Sequence, residues 1–188
     1  MSNSSNSAPL KPAVFLDRDG TLNQDKGYTY LWNDWAWLPG ALEALELLRG
    51  RGYTLVVVTN QAGVARGLYT TCAVEDLHGQ VQKDLEKRGL RIDAFYYCPH
   101  HPDFTGPCSC RKPNPGMIEA AAKELGLDLS RSHMVGDKLS DIMAGLNAQV
   151  DTILVLTGYG RTVNPIPKGV RVCEDILAAA KLIVQNDK

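Results

Sequence analysis

The sequence predicts an α/β domain built on a doubly wound parallel sheet. Four short runs rich in β-formers alternate with stretches of helical period, giving a βαβα order throughout. Each run is continuously apolar, as a strand covered on both faces must be. The 188 residues, 44% of them hydrophobic, suit one well-buried core, and neither a repeat nor an inter-domain linker divides them.

Residues 1–12 (MSNSSNSAPLKP) are polar, with no apolar signal segment and no Arg-rich amphipathic pattern. They read as a disordered lead to a single domain over 13–186. The first strand is 13–16. The stretch ALEALELLR over 41–49 carries apolar residues at helical spacing, 53–59 forms the second strand, and 71–88 a longer helix. Residues 94–97 add a further strand. Residues 98–113 hold four prolines and no period, and such a stretch needs a clamp to stay in place. A helix over 115–125, a strand over 133–135, a helix over 139–147, a strand over 152–156 and a closing helix over 175–184 complete the chain. Glycine follows several of these helices as a stop signal. Trp32, Trp35 and Trp37 read as packing on the sheet, with a wall of the site as the other role.

Charge narrows the function classes. Twenty basic residues face 21 acidic ones, for a net charge of −1, and no stretch concentrates one sign. Nucleic acid and anionic membranes are therefore not expected as partners. No apolar run approaches the roughly 20 residues that span a bilayer. The expectation is a cytoplasmic monomer that acts on a small molecule.

Three strand ends carry the polar chemistry. The first strand runs into Asp17-Arg18-Asp19-Gly20-Thr21, the second into Thr59-Asn60-Gln61, and the strand over 133–135 into Gly136-Asp137-Lys138, with Asp141 a helical turn beyond. In a doubly wound sheet these ends reach one edge, where ligands bind. Carboxylates gathered there repel unless a cation joins them, and a hard oxygen site suits Mg²⁺ and a phosphate oxygen. That is a phosphoryl-transfer arrangement.

DRDGT, the Thr59 strand end, Lys112 and the GDKxxD pattern over 136–141 resemble the four successive motifs of the haloacid-dehalogenase (HAD) superfamily, here without a separate cap domain. The resemblance implies a phosphatase whose nucleophile is Asp17, transiently phosphorylated. It makes Asp19 the acid and base, and gives Mg²⁺ the carboxylates of Asp17 and Asp137 and the carbonyl of Asp19. It assigns Thr59 and Lys112 to the transferring oxygens, and Asp141 to orienting Lys112 or the metal's waters. Arg18 either serves the site or covers the sheet edge.

The spacing Cys98-x-His100-x7-Cys108-x-Cys110 supplies three thiolates and an imidazole, a closed set for structural Zn²⁺. Such a clamp would place Arg111 and Lys112 over the phosphate site. His101 is an alternative ligand. Cys72 and Cys173 stand apart and read as buried apolar residues.

FLDRDGTLN, DKGY over 25–28, VVVTNQAGVARG over 56–67, YYCPHHP, CRKPNPGM and MVGDKLSD together closely resemble the D-glycero-D-manno-heptose-1,7-bisphosphate 7-phosphatases, whose near relative is the histidinol-phosphate phosphatase domain. The first family implies removal of the C7 phosphate from heptose 1,7-bisphosphate, a step toward lipopolysaccharide. It implies substrate contacts from Asp25, Lys26, Gly27, Tyr28, Thr59, Asn60, Gln61, Ala62, Arg111, Lys112 and Lys138, with Arg111 or Lys138 on the distal phosphate. The alternative substrate, histidinol phosphate, needs an acidic group for its ammonium. Arg111 and Lys138 lean against it.

Overall fold

The computed structural model describes residues 9–186. Strands β1 (Ala13–Leu16), β2 (Thr54–Asn60), β3 (Ala94–Cys98), β4 (His133–Gly136), β5 (Asp151–Val155) and β6 (Arg171–Cys173) pair in parallel, in the order β3-β2-β1-β4-β5-β6. The period of two along each strand divides the core between the two faces. Val14, Leu16, Leu55, Val57, Val135 and Ile153 pack with α1 (Ala41–Gly50), α3 (Thr71–Glu86) and α7 (Ile176–Asn186). Ala13, Phe15, Val56, Val58 and Met134 pack with α5 (Gly116–Leu125) and α6 (Leu139–Asn147) on the other.

This order makes a switch point. The chain steps outward from β1 to β2 to β3, then returns through α5 and enters β4 on the opposite side of β1. Leu16 is in register with Val57 and with Val135, so the segments that follow β1, β2 and β4 emerge side by side. A crevice opens beyond the carboxyl ends of strands where the winding reverses, and here it lies between β1 and β4.

Local signals explain the helix bounds. Thr70 caps α3 by accepting from Ala73 N through its hydroxyl, and Gly126, at φ 65°, ends α5. Two short helices, α2 (Ala62–Ala65) and α4 (Pro102–Thr105), sit in stretches read as loop, because a single turn shows no periodicity. Strand β6 was not expected either. It is a three-residue edge strand with Val172 half exposed, too short for a pattern.

Other expectations need correction. Lys11 N donates to Gly126 O at 3.1 Å, and Pro12 O accepts from Thr54 N at 3.0 Å, so residues 11 and 12 belong to the body rather than to the lead. The part of the lead over 1–8 lies outside the described residues. Cys72 is exposed, on the first turn of α3 with Asp76 one turn on, while Cys173 is half-buried against the core. The three tryptophans pack against the core cluster, and Trp37 Nε1 donates to Asp84 at 3.0 Å. Among the described residues no helix is long and apolar enough to cross a membrane.

Candidate active site

At the switch point the sheet delivers Asp17 and Asp137 from adjacent strands. Asp17 N donates to Val135 O at 2.9 Å, which continues the β1–β4 ladder one residue beyond β1. Gly20 and Gly158 wall Asp137 so closely that a Cβ on either would lie 2.3 or 2.1 Å from its Oδ2. Gly20 also holds φ 97°, the left-handed region that favours glycine. Tyr159 N donates to the same oxygen at 2.7 Å.

Lys112 enters this acidic corner from the loop after β3. Its Nζ lies 2.6 Å from Asp17 Oδ1, 2.6 Å from Asp141 Oδ1 and 2.7 Å from Val58 O. Its backbone is tied to β2, because Asn60 donates to Lys112 O and accepts from Lys112 N, both at 3.0 Å. Burial works against the Asp17 carboxylate, but the charges of Lys112 and Lys138 outweigh it and hold the group below its ordinary value. Burial, with Asp17 and Asp141 facing it, pushes Asp137 up to about 8. The corner therefore holds more carboxylates than its lysines neutralise. Among the described residues, Asp17 Oδ2 and Asp137 Oδ1 are buried and have no hydrogen-bond partner. Donor oxygens of Asp17, Asp137 and Asp141 lie within 4.8 Å of one another, as a bound cation requires.

Asp19 is held differently. Arg18 is fully buried and reaches Asp19 Oδ2 through Nε at 3.0 Å and NH2 at 2.8 Å. The same guanidinium donates to Thr29 O at 2.6 Å and meets His78 Nε2 at 3.4 Å. Arg18 is thus part of the site, not a cover for the sheet edge. Burial, and then the Arg18 charge, drive His78 down to about 3, so its ring is neutral. Asn23 donates to Asp19 Oδ1 at 3.0 Å and Gln61 to Oδ2 at 3.1 Å. These donors hold both Asp19 oxygens beside the cavity.

A cavity of about 220 Å³ opens over these residues. Asp17, Asp19, Asp25, Gly27, Tyr28, Thr59, Asn60, Gln61, Ala62, Arg111, Lys112 and Lys138 all line it. Lys138 spans the opening, 2.9 Å from Asp25 Oδ2 and 3.5 Å from Asp19 O, with its ammonium 5.0 Å from the Tyr159 ring.

The chain is similar to known proteins. A family model described as HAD-hydrolase-like matches residues 109–179. A D-glycero-β-D-manno-heptose-1,7-bisphosphate 7-phosphatase from Pasteurella multocida is 44% identical over 179 residues, covering 93% of this chain and 97% of that one. The chain belongs to this phosphatase family. The Escherichia coli member is 45% identical over 153 residues, 78% of this chain and 80% of its own. The crystal structure of D,D-heptose 1,7-bisphosphate phosphatase from B. bronchiseptica, complexed with magnesium and phosphate, superposes with a TM-score of 0.86. It is 39% identical and covers 93% of this chain and 98% of that one.

Not every expected family residue meets the site. Lys26 is exposed at the tip of a turn, where Gly27 N donates to Asp25 Oδ1 at 2.8 Å, and it does not line the cavity. Tyr69 and Ser140 line it without having been expected. Ser140 follows GDKL directly and was within reach of the motif. Tyr69, His78 and Asn23 carry no local signal, because their roles come from packing.

In the loop after β3, the sulfurs of Cys98, Cys108 and Cys110 lie 3.0 to 3.5 Å apart. Neither histidine ring joins these donors within 4.8 Å. The His101 ring instead accepts from Asp103 N at 3.3 Å and meets Phe104 edge-on. His100 contributes its carbonyl, which Arg111 NH1 reaches at 3.0 Å, and that bond steers Arg111 toward the cavity.

Proposed function

We propose that the chain is a Mg²⁺-dependent phosphatase that removes the 7-phosphate of D-glycero-β-D-manno-heptose 1,7-bisphosphate. The observation that carries the reading is the pair of unpartnered buried oxygens, Asp17 Oδ2 and Asp137 Oδ1, beside the Lys112 ammonium at the switch point. Hard donors in surplus fit a hard cation, held by the carboxylates of Asp17 and Asp137 and the carbonyl of Asp19. When bound, Mg²⁺ would neutralise that surplus and draw charge from a phosphoryl oxygen.

The chain's own residues then divide the work. Asp17 attacks phosphorus, and the bond to the C7 oxygen breaks as Asp19 gives that oxygen a proton. Asp19 next takes a proton from the water that attacks the aspartyl phosphate, which frees Asp17 and inorganic phosphate. Thr59 and Lys112 donate to the oxygens on which charge develops. Arg111 and Lys138 face the distal phosphate, for which the planar fork of arginine is well matched.

Asp25 already pairs with Lys138, so it is not a free anion for the ammonium of histidinol phosphate. The β-anomer follows the named relatives. Three clustered thiols fit a soft cation, and zinc held by Cys98, Cys108 and Cys110 would fix the loop that carries Arg111 and Lys112. A monomer in the cytoplasm, where thiols stay reduced, completes the proposal.

Phosphate release with Mg²⁺ from both heptose bisphosphate anomers and from L-histidinol phosphate tests it. The β-anomer is expected to lead histidinol phosphate by a hundredfold or more in kcat/KM, roughly 2.7 kcal/mol. Faster turnover of histidinol phosphate would end the heptose assignment.

A further inference from the structure

Gln61 stands between two residues that the proposed chemistry needs, and Tyr69 decides which way it faces. Its Nε2 lies 2.9 Å from Thr59 Oγ1 and 3.1 Å from Asp19 Oδ2, while its Oε1 lies 2.8 Å from the Tyr69 hydroxyl. Turning the amide over would set its carbonyl oxygen against the Asp19 carboxylate, two acceptors in contact. The phenol enforces the same direction. Its hydroxyl donates to Gln61 Oε1, so the amide oxygen is the atom that faces the ring. Burial pushes that phenol up to about 12, so it remains a donor at neutral pH.

The chain is shaped to admit this ring. A Cβ at position 63 would lie 2.1 Å from Tyr69 Cε1, so only glycine fits there. On its other side the ring stacks on Tyr30 at 4.8 Å. Tyr69 therefore has one place, and its hydroxyl one acceptor.

The consequence falls on Thr59. A hydroxyl has a single proton, and the direction of its neighbours decides where that proton goes. Because Gln61 donates to Thr59 Oγ1, the threonine's proton is not spent on Gln61. Among the described residues it has no other acceptor, and Thr59 lines the cavity. With the amide reversed, Thr59 would donate to Gln61 and present only lone pairs to an anionic phosphoryl group.

We propose that Gln61 and Tyr69 are positioning residues that keep Thr59 a hydrogen-bond donor toward the transferring phosphoryl group. The proposal rests on the phosphatase reading above. It gives Gln61 a duty inside the protein rather than on the sugar, and gives Tyr69 a duty of its own.

The test is steady-state kinetics on the heptose bisphosphate with Mg²⁺. Tyr69→Phe keeps the stacked ring and removes only the hydroxyl, while Gln61→Met keeps the volume and removes the amide. Tyr69→Phe is expected to lower kcat about 10-fold, and Gln61→Met about 100-fold, with KM within about twofold, because the donor matters most in the transition state. Since Tyr69 acts through Gln61, the double variant should be no slower than Gln61→Met alone. A Tyr69→Phe enzyme within about twofold of the parent in kcat, or a double variant that loses the full product of about 1,000-fold, overturns the proposal. Asp17→Asn, measured alongside, separates the two levels: an inactive Asp17→Asn with an unaffected Tyr69→Phe removes the positioning role alone, whereas a fully active Asp17→Asn removes both.

Discussion

The carboxylate corner and the cysteine loop both crowd like groups together, one on strands and the other on irregular chain. Asp17 and Asp137 ride just beyond Leu16 and at the end of β4, so the β1–β4 register fixes their separation. The corner also brings its own counter-charge, Lys112 between Asp17 and Asp141. Only Cys98 in the loop ends a strand, and Cys108 and Cys110 follow ten and twelve residues later on irregular chain. Burial pushes the Cys98 thiol up, so without a metal it stays neutral and binds weakly to its neighbours. On the proposed reading, a metal at the corner would serve chemistry and a metal at the loop would serve the fold.

Four experiments break or sharpen this contrast. The largest effect is expected for Asp17→Asn, which keeps the shape and removes the nucleophile: turnover should fall by at least about 10³-fold in a phosphate-release assay. Thermal stability should hold, and a collapse of both would mean the corner is structural.

Lys112→Met removes the counter-charge itself. It leaves Asp17 and Asp141 buried without their shared cation, and breaking a buried pair from one side destabilises by about 3–5 kcal/mol. Urea unfolding without divalent metal measures it. A change below about 1 kcal/mol, no more than an exposed pair gives, would show that Lys112 is not the corner's counter-charge.

Cys110→Ser tests the other region. Metal analysis should find the zinc lost, and Tm should drop by about 2–4 °C for each kcal/mol given up. Proteolysis of the segment 98–113 should quicken. Removing Mg²⁺ should stop turnover and leave that segment protected. Equal protection with and without zinc would erase the contrast.

The smallest effect concerns acid. His78 is held near pKa 3 against an ordinary 6.5, so the unfolded chain binds its proton first. The stability it contributes is complete above about pH 6.5 and is lost as pH falls, by about 2 kcal/mol at pH 5. Tm from pH 7 to 5 should fall less steeply in His78→Gln than in the parent. Parallel curves would show that His78 charges without penalty.

Much of this was readable from residue order, and for one reason: the informative features are local. Continuous apolar runs gave the strands, and polar triplets after them gave the edge that collects Asp17, Thr59 and Asp137. The Cys98 to Cys110 spacing pointed to a metal loop. Helices of one turn, the three-residue β6 and the pairing of Lys11 were not readable, because none is long enough to carry a period.

By itself the sequence determined the sheet, the carboxylates at its edge and the family of the chain, since each is written in neighbours along the chain. Tertiary structure alone decided the rest. It buried Arg18 so that its guanidinium faces Asp19 and Thr29, and it brought Lys112 from 95 residues away onto Asp17. It carried Tyr69 against Gly63 and onto Gln61, and turned His101 away from the sulfurs. A side chain's partner across space depends on packing that no spacing records, and it is packing that sets which way each proton in this site points.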